Sequence, residues 1–119
     1  MDYSIYTKRQ NNLKSVLEEN NLDGIFITNL TNIRYICGFT GSAASCLVTP
    51  EGQYFLSDGR YIEQSKEQVK GFKCFLDMSS HLEQIKNEKL KNPGLKIAFE
   101  GQHVSYSLYR QMKNLFPKT

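Results

Sequence analysis

Segments with the periodicity of helices alternate along this chain with short apolar segments typical of strands, and this alternation constrains the fold more than any other feature. The strand-like segments cover residues 24–28, 43–49, 53–57, 72–77 and 95–99. The second and third are too close together for a helix between them, so they predict an antiparallel hairpin. Helix-like segments accompany the others, an arrangement typical of a sheet covered by helices. The sequence therefore predicts an α/β fold, a single mixed β-sheet with helices on its faces.

Local signals place the ends of these segments. Gly38 ends a short helix over residues 30–37, since glycine readily adopts the conformation that closes many helices. Pro50 suits the first corner of a type I turn in the hairpin, and Gly52 is expected to close that turn with a positive φ. Asp58 follows the hairpin at the position of an N-cap. These signals predict a tight hairpin that leads directly into a new helix.

Two later helices also have predicted caps, and each helix has an apolar face. Residues 80–83 have the form of a capping box, and Ser105 is placed to cap the last helix. The residues expected on the apolar faces are Tyr6, Leu13, Val16 and Leu17, then Tyr61, Ile62 and Val69, then Leu82 and Ile85, and finally Leu108, Tyr109, Met112, Leu115 and Phe116. Such faces supply the cover that a sheet requires.

Size and charge limit the classes of function. With 119 residues the chain is one domain, long enough to bury a core. Its net charge of +3 is far from the dense basic surface of nucleic-acid-binding domains, so we expect no nucleic-acid partner. No apolar run approaches the length of a membrane span, and the first residues lack the apolar region of a signal peptide. We therefore expect no membrane partner.

The cysteines and histidines show no ligand pattern. Cys37, Cys46 and Cys74 are odd in number and lack C-x-x-C spacing, so we expect small core residues, no disulfide framework and a cytoplasmic location. His81 and His103 stand apart from the cysteines and from each other, which favours ordinary surface or capping roles. Neither a metal site nor a nucleophile–base pair can be identified, so we expect no catalytic residue in this chain.

Residues 38–41, Gly-Phe-Thr-Gly, admit a binding interpretation and a structural one. The clamp of KH-type RNA-binding domains has this spacing but requires a helix on each side, and here a strand is predicted to follow. A P-loop is excluded because no Gly-Lys-Ser/Thr follows. Gly38 and Gly41 most simply allow tight turning at a helix exit, which leaves room for a ligand nearby.

Residues 58–61, Asp-Gly-Arg-Tyr, carry a charge that their position does not explain. Arg60 falls in the first turn of the predicted helix, where the helix dipole favours anions over cations. Its position indicates another role, such as holding a carboxylate in a bidentate pair. The alternative is an ordinary N-cap at Asp58 followed by a permissive glycine.

Four segments in order resemble the N-terminal domain of the Xaa-Pro aminopeptidase, prolidase and creatinase family. Residues 32–42 match its string N-x-R-Y-x-x-G-F-x-G-S, and residues 58–61 match D-x-R-Y after a small hairpin. Residues 97–100 match I-x-F-E, and the first helix, ending in Leu-Asp-Gly-Ile at residues 22–25, fits the family's K-G-L-D-A opening. The resemblance runs from about Tyr6 to the end of the chain.

The resemblance implies a fold and a partner domain. The fold would be the creatinase/prolidase N-terminal fold, which contains a ribonuclease H-like motif, over residues 1–119. Members of the family also carry a C-terminal pita-bread catalytic domain, absent from this chain, that holds two divalent metal ions, commonly manganese. This chain would then be non-catalytic. It would shape the substrate cleft and the dimer interface of a homodimeric peptidase that acts on short proline-containing peptides.

The resemblance also suggests residue roles. Arg60 matches a position implicated in binding a substrate carboxylate, and Tyr61 and Phe39 are candidate wall residues of the cleft. Asp58 would cap the helix and orient Arg60, and the two glycines at 38 and 41 would support the site. Two alternatives stay open: the N-terminal domain of a creatinase-like amidinohydrolase, which uses no metal, and a stand-alone binding or dimerisation module.

Overall fold

A computed structural model describes residues 4–76, 81–87, 90 and 94–119. The helices are α1 (Ser4–Glu19), α2 (Leu30–Cys37), α3 (Ile62–Gln68), α4 (His81–Asn87) and α5 (Tyr106–Leu115). The strands are β1 (Gly24–Ile27), β2 (Ser45–Thr49), β3 (Gly52–Ser57), β4 (Lys73–Leu76) and β5 (Ile97–Phe99). A 3₁₀ turn, Gly59–Tyr61, joins β3 to α3. The predicted α/β order is confirmed.

The five strands form one mixed sheet in the order β4-β3-β2-β1-β5. The pairs β1–β2 and β2–β3 are antiparallel, whereas β1–β5 and β3–β4 are parallel. It follows that β2 alone runs against the other four strands. Their carboxyl ends meet at one edge of the sheet, which we call the carboxyl edge.

Helices cover both faces of the sheet, because β1, β2 and β3 present apolar side chains in both directions. Phe26, Leu47 and Leu56 pack against side chains of α4 and α5 on one face. Ile27, Cys46 and Phe55 pack on the other face, mainly against α2. The apolar run predicted as a two-sided strand is therefore confirmed: Phe26 and Ile27 are buried on opposite faces.

Several local predictions are confirmed. Gly38 caps α2 in the left-handed conformation, with φ of 89° and its N–H donating to Arg34 O. Ser105 caps α5 through a hydrogen bond from Leu108 N to its side chain. Met112 and Phe116 are buried as their spacing predicts. Local sequence signals were sufficient for these ends because each involves residues only a few positions apart.

Other predictions are corrected. Gly52 begins β3 opposite Thr49, and positive φ among the described glycines occurs only at Gly38 and Gly71. The loop between β2 and β3 consists of Pro50 and Glu51 alone, and no residue in it or at Gly52 has a positive φ. Val16 and Ile62, expected to face the core, are 51% and 42% exposed.

Several strands are shorter than predicted, although β3 begins one residue earlier than expected, and some predictions fall outside the described residues. β2 begins at Ser45 rather than at residue 43, and β5 begins at Ile97 rather than at residue 95. The serine of the proposed capping box, the proposed helix end at residues 92–93 and the last residue of the fourth strand lie outside the described residues. Within those residues, no helix is long and apolar enough to cross a bilayer.

Candidate functional site

The carboxyl edge collects the segments that the sequence singled out. Thr28 follows β1, Asp58 follows β3 and Glu100 follows β5, while residues 42–44 lead into β2 beside them. In α/β sheets ligands commonly bind outside the carboxyl ends of the strands. This edge is therefore the candidate site, and its side chains are described in turn.

Arg60 and Asp58 form a two-pronged ion pair. Nε of Arg60 donates to Oδ1 of Asp58 at 3.0 Å, and Nη2 donates to Oδ2 at 2.9 Å. Oδ1 also accepts the Arg60 backbone N–H at 3.0 Å, so Asp58 is an N-cap, as predicted. The cap belongs to the 3₁₀ turn, however, and Arg60 lies in that turn and not in the first turn of an α-helix, because α3 begins only at Ile62. The Arg60 guanidinium lowers the pKa of Asp58 through these hydrogen bonds. The pair explains locally why a cation occupies this turn.

The pairing leaves part of the arginine available. Asp58 occupies the Nε–Nη2 side of the guanidinium, and the side chain of Arg60 is 67% exposed. A guanidinium has five N–H donors, so both hydrogens of Nη1 and one of Nη2 remain along its outer edge. That edge matches the geometry of a carboxylate. Arg60 can therefore hold a second anion while Asp58 keeps it oriented.

Tyr61 extends this surface, whereas Phe39 lies beneath it. The Arg60 guanidinium carbon is 5.3 Å from the centre of the Tyr61 ring, and the Tyr61 hydroxyl hydrogen-bonds Ser42. Phe39 is only 1% exposed and packs edge-to-face on Phe55 and Tyr61, with ring centres 4.8 and 5.4 Å away. We therefore reassign Phe39 from the expected wall of a cleft to the support of Tyr61.

Gly41 is required by this aromatic packing. A Cβ there would lie 2.2 Å from Cζ of Phe39 and 3.0 Å from Cε1 of Tyr61. The loop is fixed from below by α3, because Gln68 Oε1 accepts the Thr40 N–H at 2.9 Å. A strand follows this loop, as predicted, so the helix that a KH-type clamp requires after its glycines is missing.

Glu100 ties the first and last parts of the edge together. Its Oε1 accepts the backbone N–H groups of Thr28 and Asn29, at 2.5 and 2.8 Å, and its Oε2 accepts from Nδ2 of Asn32. Burial alone would raise the pKa of Glu100, but the hydrogen bonds from these three residues outweigh it and lower the pKa. The carboxylate is thus held ionised at the start of α2.

Two histidines line one groove of about 440 Å³ beside these residues. Nδ1 of His103 hydrogen-bonds Oγ1 of Thr28 at 2.8 Å, and Nδ1 of His81 hydrogen-bonds Oγ of Ser45. The groove also contains Ser42, the partner of Tyr61. We call it the histidine groove. Through the Ser42–Tyr61 hydrogen bond the groove adjoins the residue that follows Arg60.

Comparison with known proteins identifies the family. The model of the creatinase/prolidase N-terminal domain matches residues 9–119. The chain belongs to this family. It is 36% identical over 98 residues to the uncharacterized peptidase YqhT of Bacillus subtilis (strain 168), a match that covers 82% of this chain and 28% of YqhT. The chain therefore spans about a quarter of the length of that relative.

Comparison with solved structures supports the same family and the same fold. The creatinase/prolidase-like N-terminal domain of a Corynebacterium diphtheriae protein superposes with a TM-score of 0.80 at 27% identity, over 93% of this chain and 88% of that one. A Xaa-Pro dipeptidase from Bacillus anthracis gives 0.78 at 28% identity, over 93% and 31%. The fold of this creatinase/prolidase N-terminal domain is thus the one that the resemblance implied.

The cysteines of this family member differ in environment. Cys37 and Cys46 are fully buried on one face of the sheet, where burial raises the pKa of Cys46. Cys74 lies on the edge strand β4 and is exposed, which corrects the expectation that all three are core residues. In residues 4–76, 81–87, 90 and 94–119, no three His, Cys, Asp or Glu side chains converge as metal ligands would.

Sequence reasoning missed the histidines and the linking role of Glu100. The sequence predicts separate surface or capping roles for His81 and His103, which are 22 positions apart, but the two side chains line the same groove. Glu100 and Asn32 each belonged to a recognised motif, yet only the β1–β5 pairing brings them together. No local sequence signal indicates the shared groove or the Glu100–Asn32 contact, because both depend on the order of the strands in the sheet.

Proposed function

We propose that this chain is the non-catalytic N-terminal domain of a metal-dependent Xaa-Pro peptidase. The similarity to a Xaa-Pro dipeptidase at 28% identity supports a peptidase over a creatinase-like amidinohydrolase. Catalysis and two divalent metal ions, manganese by the family resemblance, are assigned to a separate C-terminal segment. In this proposal residues 1–119 form one domain of a cytoplasmic homodimer, and the domain contributes to the dimer interface.

The outer edge of Arg60 carries the proposal. The Arg60 side chain is 67% exposed at the carboxyl edge, and Asp58 occupies only its Nε–Nη2 side, at 2.9–3.0 Å. A short peptide that ends in proline has a carboxylate at a fixed distance from its scissile bond. A fixed arginine can bind that carboxylate and thereby orient the bond toward a reaction centre. Tyr61 would form the adjoining wall, resting on Phe39.

The test compares hydrolysis of a Xaa-Pro dipeptide by the complete gene product and by residues 1–119, each with added manganese. We expect hydrolysis by the complete protein only. In that protein Arg60→Ala should lower kcat/KM by about tenfold to a hundredfold, the equivalent of about 1.5–3 kcal/mol for one hydrogen bond to a charged group. Hydrolysis by residues 1–119 alone would refute the non-catalytic assignment.

Two variants sharpen the test. Arg110→Ala removes an exposed arginine from α5 and should leave kcat/KM unchanged. Arg60→Lys keeps the charge but loses the planar fork, so it should remain impaired. If the dipeptide amide, which lacks the carboxylate, is affected by Arg60→Ala as strongly as the free dipeptide, then Arg60 does not bind that carboxylate.

A further inference from the structure

The histidine groove has a hydrogen-bond chain behind it that fixes which atoms it offers to a ligand. The chain runs from Glu100 through the Thr28 hydroxyl to His103. Oγ1 of Thr28 donates to Oε1 of Glu100 at 3.2 Å and contacts Nδ1 of His103 at 2.8 Å. An inference about this groove rests on the proposed function, because the ligand considered is a short peptide.

The direction of each hydrogen bond follows from counting protons. Glu100 receives four hydrogen bonds, and an ionised carboxylate can only accept. The single proton of the Thr28 hydroxyl therefore points to Glu100. The Thr28 oxygen can then only accept from His103, so the proton of the neutral imidazole lies on Nδ1. Nε2 of His103 consequently carries a lone pair and acts as an acceptor.

The charges around the groove favour a donor with positive charge. Apart from His81 and His103, its lining consists of apolar, hydroxyl and amide side chains. No lysine or arginine belongs to this set of described residues. Glu100 lies behind Thr28 in the hydrogen-bond chain, whereas Asp58 is paired with Arg60. The charged group linked to His103 through this chain is therefore the Glu100 carboxylate.

We propose that His103, positioned by Thr28 and Glu100, forms a subsite for the amino terminus of a short peptide in the histidine groove. The peptide ammonium donates to Nε2 of His103, and the negative charge of Glu100 adds a favourable Coulomb term. His103 is a positioning residue in this account and takes no part in bond cleavage.

The first test is the tautomer of His103, measured on the 119-residue chain by proton–nitrogen NMR correlation at a pH where the imidazole is neutral. We expect the proton on Nδ1. Thr28→Val keeps the shape of the side chain but removes the hydroxyl, so the Nδ1 preference should be lost. Thr7→Val alters an exposed threonine on α1 and should change nothing. A proton on Nε2 in the unaltered chain would overturn the inference.

The second test titrates Ala-Pro, N-acetyl-Ala-Pro and Ala-Pro amide into the same chain and follows the amide signals of the groove. Acetylation removes the ammonium and should weaken binding about tenfold or more, and His103→Ala should remove the difference between the two peptides. Equal binding of the acetylated and free peptides, or no binding of Ala-Pro, overturns the subsite. Amidation tests Arg60 instead, so failure of the amide arm bears on the proposed function and leaves the His103 subsite standing.

Discussion

Replacement of Glu100 by glutamine should destabilise the domain, because this carboxylate joins the start of α2 to the end of β5. A glutamine oxygen can still accept the N–H groups of Thr28 and Asn29. Its amide would face Nδ2 of Asn32, so two donors would oppose each other where Oε2 now accepts. The substitution removes one charge-assisted hydrogen bond and converts the others to weaker neutral ones.

The magnitude follows from these losses. A hydrogen bond to a charged group contributes about 1.5–3 kcal/mol, and each weakened bond loses about half a kcal/mol more. Because the site is partly exposed, water compensates in part, and we expect a total loss of about 2–3 kcal/mol. For a domain of this size that corresponds to a fall in Tm of about 10 °C. Chemical denaturation and thermal melting measure both quantities.

The pH dependence gives a second check. The pKa of Glu100 is lower in the folded state than its ordinary value, so its stabilisation is present above that ordinary value and is lost as pH falls through the folded pKa. Glu100→Gln lacks this contribution. The difference in free energy of unfolding between the unaltered protein and Glu100→Gln should therefore become smaller as the pH is lowered.

Controls and a double-mutant cycle decide whether the reasoning is right. Glu67→Gln changes an exposed carboxyl on α3 and should be neutral within about 0.5 kcal/mol. Glu100→Gln and Asn32→Ala should be coupled by about 1–2 kcal/mol, since their side chains are in direct contact. A Glu100→Gln protein as stable as Glu67→Gln, or a gap that does not change with pH, would refute the assigned role.

Three further results are expected. Gly41→Ala should lower the free energy of unfolding by about 1–3 kcal/mol, because the added Cβ would overlap an aromatic ring. Gly59→Ala should not, because a Cβ at residue 59 would meet open space. Equal losses of stability in the two variants would contradict the packing argument. A thiol reagent should modify Cys74 alone in the native chain and all three cysteines after denaturation. Thiol counting and peptide mapping measure this, and rapid labelling of a second thiol in the native chain would contradict the burial of Cys37 and Cys46. Gln10→Leu should lower the free energy of unfolding by about 2–3 kcal/mol, because the Gln10 amide donates to two backbone carbonyls at 3.0 and 2.7 Å. Gln111→Leu replaces an exposed side chain of α5 and is the control, so chemical denaturation should give it a free energy of unfolding near that of the unaltered chain.

The sequence alone determined the local structure of this protein. The left-handed cap at Gly38, the N-cap at Asp58 and the cap at Ser105 each depend on residues within four positions of one another. The order of helices and strands could be predicted for the same reason, since periodicity is a local property. The motifs that resembled a known family were likewise continuous strings, so they identified the family and directed attention to Arg60.

The tertiary structure alone decided which of these segments meet and which side chains face water. The β1–β5 pairing places Glu100 against Asn32, although 68 positions separate them, and it also brings His103 to Thr28. Phe39 is buried and Cys74 exposed for the same physical reason. Whether a side chain is buried depends on which residues from distant parts of the chain pack over it. Its own chemistry and its local spacing do not reveal those residues.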